Sequence, residues 1–304
     1  MGSSSYYRDM KRRLTPLILA AIATLAAASA PVNAQLTKPF LWELSKGEKT
    51  ITLFGSLHVG KPDFYPVPEV VQKRFDDAKV LAVEVDVTLP ETQQACTRLA
   101  ATTEKLETIL PPDDYAALLG YVRAAGVPDT AIEGRKLWLV NLVLVGIELG
   151  QLGVDFSSGL DVAFLRDAKR AKKAVAEVEG GQKQCAALAG AGNAETAAAM
   201  TRFLASVRQN RMERRLAEMV DAYRSGNGEA LLRVISEEFG DSAEGISARR
   251  RVFDDRHPAM AEVIDGYFKQ SDRHFVVIGV GHMFGPNNLL EALAKRGVRA
   301  KRIE

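Results

Sequence analysis

Thiol and imidazole groups are scarce in this chain of 304 residues, which holds two cysteines and four histidines. Cys96 and Cys185 have neither the spacing of zinc ligands nor that of a CxxC redox pair, so chemistry built on clustered sulfur is excluded. There is no G-x-S-x-G elbow, no Walker loop and no Rossmann glycine fingerprint followed by an acid at the right offset. Gly279-Val280-Gly281 precedes a histidine and a proline loop instead of a dinucleotide-binding helix. An excess of one charge is missing too, with 40 basic and 38 acidic residues. No electrostatic footprint for nucleic acid or an anionic membrane results, and the run Arg249-Arg250-Arg251 reads as a solvated helix face.

One long apolar run lies at the start. Lys11-Arg12-Arg13, an Ala-rich apolar stretch over 14–30 and the small-x-small triplet Val32-Asn33-Ala34 read as a cleavable secretory signal over residues 1–34. The competing reading is an uncleaved signal anchor. Cleavage after Ala34 implies a periplasmic or secreted protein without a stable membrane span, and no cysteine near the cut offers a lipid anchor. Taking four basic residues and one acidic residue away leaves 36 and 37, a nearly neutral chain. Its length fits a single α/β domain over 35–304, with helical insertions at about 91–172 and 185–268. Thiols in an oxidising compartment often pair, and a Cys96–Cys185 bridge would close a long loop. Whether their Cα atoms approach closely enough is open at this point.

One phrase is written twice: an apolar strand, then Gly-x-x-His, then a proline-bearing loop and a helix. The first copy runs through Gly55-Ser56-Leu57-His58, the second through Gly279-Val280-Gly281-His282. Strands are expected at 50–54, 80–87, 174–178 and 275–280, each short and rich in β-branched residues, with a weaker edge strand at 298–303. Helices are expected over 91–106, 115–124, 137–149, 160–172, 194–223, 229–238 and 246–268. The 137–149 segment is apolar nearly all round, which predicts a buried helix. The fold class is therefore α/β: a small central sheet carrying both strand-GxxH units, flanked by extensive helical layers.

Ligands in open α/β sheets bind beyond the carboxyl ends of the strands, where both motif histidines fall. Two imidazoles with Glu84 from a third strand suit a divalent ion such as Zn, Mn or Co. The bland alternative is that each histidine merely caps its strand. Gly55 and Gly279 are expected to turn the backbone off the strand and to leave space for a ligand. Glu84 lies in an apolar run, where an unpaired carboxylate is costly, so a metal or histidine, or else an arginine such as Arg256, must compensate it. Glu177 poses the same question, and either carboxylate is a candidate ligand or general base. His257 and His274 read as structural.

In the order Phe40-Leu41-Trp42, Leu53 through Gly60, Glu84 within its strand, Gly159-Leu160-Asp161, the 177–182 segment, Asp255-Arg256 and Ile278 through Gly285, the chain resembles the TraB/GumN family, which includes the Tiki proteases and PrgY-type proteins. The resemblance implies a fold similar to the erythromycin-esterase and ChaN group. It also implies a metal-dependent peptidase chemistry using His58, His282 and Glu84, with Arg256 and Glu177 lining the site. Two departures stand out: Arg256-His257 where the family commonly has Arg-Asn, and Lys136-Leu137-Trp138 where it has Lys-Pro-Trp. The first sits near the site, the second at a helix start. The function expected is that of an exported metal-dependent hydrolase acting on a peptide or small molecule. The alternative is a non-catalytic periplasmic protein that sequesters peptide, haem or metal.

Overall fold

Gly47, at a φ of 60°, turns strand β1 (Leu41–Lys46) back on β2 (Lys49–Ser56) through a two-residue loop. This hairpin opens a six-stranded sheet of the α/β class, seen in a computed structural model that describes residues 36–61, 64–270 and 273–303. The signal segment and its cleavage site at Ala34 lie outside the described residues. The remaining strands are β3 (Val80–Val83), β4 (Ala174–Glu177), β5 (His274–Gly279) and β6 (Arg299–Arg302). Their order is β4-β3-β5-β2-β1-β6, with β4, β3, β5 and β2 mutually parallel and β1 antiparallel to both its neighbours. Parallel strands buried on both faces read as continuous apolar runs. The all-buried VLAV of β3 and the buried β5 fit that rule.

Because side chains alternate along β2, Phe54 and Gly55 face opposite sides of the sheet. Phe54 joins Phe75, Phe164 and Phe275 in a cluster of rings with centroids 5.1–6.1 Å apart. On the Gly55 side, Phe40 packs against Trp42, Tyr223 and Phe284. The fully buried Tyr223 donates its hydroxyl to the Gly55 carbonyl at 2.6 Å and so pins helix Arg211–Arg224 to the end of β2. A second apolar cluster, with Leu118, Leu137, Leu144, Met200 and Phe203, lies within the helical layers.

The structure redraws several expected elements. β1 is new, since its short LWELSK run mixes apolar and polar residues and gives little periodic signal. The strand expected over 80–87 stops at Val83, because Asp86 Oδ1 accepts from the backbone and hydroxyl of Thr88 and turns the chain. The expected 194–223 helix breaks at Asn210, whose φ is 51°. The expected 246–268 helix breaks into Ala243–Val252, a 3₁₀ turn Asp254–Arg256 and His257–Tyr267. Helix Leu137–Gln151 is not wholly buried: Leu142 and Val143 are exposed at 41 % and 45 %. Its Leu137, Val140 and Leu144 face fills the second cluster, and the other face is left to solvent. The Arg249 to Arg251 run is not merely solvated either, for its three guanidiniums pair with Asp254, Asp255 and Glu195. No described helix is long and apolar enough to cross a membrane.

Cys96 and Cys185 form a disulfide, with Cα atoms 5.2 Å apart, that ties helix Pro90–Ala100 to helix Gly181–Ala189. Close approach requires Gly181, where a Cβ would sit 2.5 Å from the Thr92 side chain. The bridge closes a loop with a sequence separation of 89, which restricts the unfolded chain. Reduction, or replacement of both cysteines by serine, is expected to cost about 2–4 kcal/mol of unfolding free energy. Urea denaturation with and without dithiothreitol measures this, and coincident midpoints would mean that the bridge does not form in solution.

Candidate functional site

Four adjacent parallel strands each end near one polar side chain. Taken across the sheet from β2, these are His58, His282 after β5, Glu84 after β3 and Glu179 after β4. The fourfold convergence follows from parallelism alone, since all four strands point their carboxyl ends the same way. His282 sits in the 3₁₀ turn Val280–Met283, and His58 lies two residues past β2.

Glu84 is at the centre. Its backbone N–H donates to Val277 O at 3.2 Å, and its carbonyl accepts from Glu179 N at 3.1 Å, so its position is fixed from both neighbouring strands. The carboxylate is 6 % exposed. Oε1 accepts from Gln184 Nε2 at 2.7 Å and from Arg256 Nη2, while Oε2 accepts from the Gly279 N–H at 3.2 Å. His58 Nε2 lies 3.8 Å from Oε2 and His282 Nε2 3.7 Å from Oε1. Burial alone would raise the pKa of this carboxyl. The side chains facing it, His282 first and then His58 and Arg256, instead hold it well below the usual carboxylate range.

Arg256 is the cation that answers the buried carboxylates. Its Nη2 donates to both Glu84 and Glu179, its Nε lies 3.0 Å from each Glu179 oxygen, and its Nη1 donates to Val252 O at 2.7 Å. Burial opposes its charge, and the two carboxylates overcome that opposition and raise its pKa. The break between Val252 and His257 is what aims this side chain inward, and Nη1 also comes within 3.5 Å of His282 Nε2.

The two histidines are held differently. His58 Nδ1 lies 3.0 Å from Asp161 Oδ2, and 46 % of its side chain is exposed. Burial is the largest single influence on the ring and disfavours its charged form; Asp161, by charge and by hydrogen bond, and then Glu84 together outweigh it and raise the pKa to about 9. His282 is buried, with its ring edge-on to Phe253 and its Nδ1 2.9 Å from His257 Nε2. His257 Nδ1 meets the Asn287 carbonyl at 2.7 Å, and burial, followed by the proximity of His282, lowers the His257 pKa to about 4.

The glycines act by absence of bulk. Neither Gly55 nor Gly279 has a positive φ, so the expected sharp turn is not their task. A Cβ on Gly279 would lie 2.6 Å from His58 Nε2, and one on Gly55 would meet Val280 and Phe40 at 3.0–3.1 Å. Of the residues expected at the site, His58, Glu84, Arg256 and His282 converge. Glu177 is engaged elsewhere: its Oε1 accepts from Asp86 N at 2.8 Å and secures the chain just past Glu84. His274 opens β5 and stacks on Tyr267, at the other end of that strand from His282, as a structural residue.

Asp161, Glu179, Gln184 and the role of His257 escaped the sequence reading. Asp161 and Glu179 lie in segments already noted for other reasons, but neither sits in an apolar run that would advertise a buried charge. By type, two imidazoles and a carboxylate suit a borderline divalent ion. Among the described residues, however, no three of His, Cys, Asp and Glu stand in an arrangement ready to hold one.

The sequence model of the TraB/PrgY/gumN family matches residues 40–302. The uncharacterized protein YbaP of Escherichia coli (strain K12) is 31% identical over 47% of this chain and 53% of its own length. Metalloprotease TIKI1 of Xenopus tropicalis is 23% identical over 92% of this chain and 66% of its own length; that of Danio rerio is 24% identical over 85% and 62%. The match thus spans about half of YbaP and just under two thirds of TIKI1. No solved structure matches the chain.

Replacing Arg256 with Met leaves two buried carboxylates without their cation and is expected to cost about 3–5 kcal/mol, read as a lower denaturation midpoint. A shift under about 1 kcal/mol would show that water or another cation already neutralises them. Gly279→Ala is expected to behave differently, because the atom it strikes is the end of a half-exposed ring that can swing away. Its melting temperature should stay within about 4 °C of wild type, while the His58 ring resonances shift; unchanged resonances would contradict the crowding at Nε2.

Proposed function

The chain belongs to the TraB/PrgY/gumN family, and from that premise we propose that it is an exported hydrolase, dependent on a divalent ion, that cleaves peptides. One observation carries the reading: two histidines 224 residues apart in sequence face the two oxygens of one buried carboxylate. His58 and His282 would hold the ion through Nε2, since both Nδ1 atoms are engaged by other groups. An ion bound there would polarise a substrate carbonyl and make water a competent nucleophile near neutral pH.

Glu84 serves as anionic ligand in this reading rather than as general base. A carboxyl held well below its usual range, with Arg256 and Gln184 on one oxygen, is a weak proton acceptor at neutral pH. Arg256 and Glu179 keep Glu84 oriented, and Gln184 fixes Oε1. Asp161 orients the His58 ring. Glu177 holds the Asp86 backbone and acts at one remove from the reacting atoms. The similarity to TIKI1, which is named a metalloprotease, supports the peptide as substrate.

The second reading, a protein that sequesters peptide, haem or metal, draws support from the same closed network, because a carboxylate tied by three donors suits a fixed binding site. Metal analysis of wild type, His58→Ala and His282→Ala, with a peptide-library cleavage assay, separates the two. The hydrolase is expected to retain about one ion per chain in wild type, to lose it in both variants, and to lose at least about 100-fold in kcat/KM with either change. Tight ion retention without cleavage would favour sequestration, and equal substoichiometric metal in all three proteins would overturn both metal readings.

A further inference from the structure

Behind His282 runs a short hydrogen-bond chain that ends on main chain. Its members are His282 Nδ1, His257 Nε2 at 2.9 Å, then His257 Nδ1 and the Asn287 carbonyl at 2.7 Å. A carbonyl oxygen only accepts, so His257 carries a proton on Nδ1. The His257 ring is 1 % exposed and follows Arg256, whose guanidinium reaches His282; a second buried positive charge there would be costly. His257 is therefore neutral, and its Nε2 is a bare acceptor. His282 must donate to it from Nδ1; its Nε2 faces Nη1 of Arg256, which only donates, and a positive charge on this buried ring beside that guanidinium would be costly, so the lone pair of His282 lies on Nε2.

The origin of the chain is rigid. Asn287 adopts a φ of 55°, its N–H donates to Glu291 Oε2 at 3.1 Å, and Asn288 caps helix Leu289–Ala294 by accepting from Glu291 N at 3.0 Å. A main-chain carbonyl aimed by a helix cap thus dictates one proton position, and that position dictates the next. We propose that His257 is a positioning residue that fixes the tautomer and ring plane of His282, so that Nε2 presents a lone pair to the site. The other tautomer would point an N–H at the Glu84 carboxylate and offer no donor electrons. His257 touches no reacting atom in this role and acts wholly through His282 Nδ1. The tautomer follows from the hydrogen bonds and from the burial of both rings beside Arg256; only its consequence for ion affinity rests on the hydrolase reading.

The test uses protein labelled with ¹⁵N at histidine and long-range ¹H–¹⁵N correlation at neutral pH, with His282 assigned by its loss in His282→Ala. The expected wild-type pattern is a protonated Nδ1 and an unprotonated Nε2. In His257→Phe, which keeps a ring but removes the acceptor, the Nε2–H form should become populated and the affinity for Zn²⁺ added alone should fall by about 10–100-fold. His257→Gln, whose Oε1 can take the place of Nε2, should restore both. An Nε2–H tautomer in wild type, or an unchanged tautomer in the Phe variant, would overturn the proposal. If His257→Phe does not fold, the wild-type spectrum still decides. The expected tautomers without Zn²⁺ binding in any protein would support the positioning role and remove the ion reading.

Discussion

A single buried guanidinium sets the terms for this site. Glu84 and Glu179 descend from adjacent strands into a place with little water, and an uncompensated carboxylate there is penalised by several kcal/mol. A planar fork can serve two carboxylates at once in a way that a point-charge ammonium cannot. Arg256 does so, and it reaches them because the helical run stops at Val252 and resumes at His257. Pro258 cannot sit inside an unbroken helix through 246–268, and the break it marks is what brings Arg256 to the two acids.

Parallel pairing supplies the other half of the arrangement. With β4, β3, β5 and β2 aligned, residues from positions 58, 84, 179 and 282 meet at one edge of the sheet without a local motif. The helical layers then do the holding. Helix Leu160–Arg170 brings Asp161 to His58, helix Gly181–Ala189 brings Gln184 to Glu84, and helix His257–Tyr267 begins with the ring that supports His282. The disulfide has a place in this scheme, since Cys185 follows Gln184 directly and anchors that helix to the one after β3.

What the sequence made legible was the part of the site written as contrast. Histidines after apolar strands, and a glutamate at the end of one, stand out because their surroundings are apolar. His58, Glu84 and His282 could be read for that reason, and the buried acid's need for a partner pointed to Arg256. Asp161, Glu179 and Gln184 sit at polar helix starts and loops, where a charge or an amide is unremarkable until the fold brings it inward. β1 was hidden by its length and mixed polarity, and the end of β3 by a side-chain turn at Asp86 that strand propensity does not register. Position 257 shows the limit most clearly: its His-Pro context signals a helix start, which it is, and nothing local shows that the same ring reaches His282.

The two histidines are therefore unequal, and the inequality has a direction. His282 is buried and backed by a neutral ring, while His58 is half open to solvent and backed by an anion. Solvent reaches the cluster on the His58 side, so a molecule entering from solvent meets His58 there. The His58 ring packs directly over Gly279, where any larger residue would strike Nε2. A ring that serves as a fixed reference needs its proton and plane set in advance, and the chain from Asn287 does that. The duplicated motif thus yields one half-exposed and one buried imidazole on either side of a single buried carboxylate.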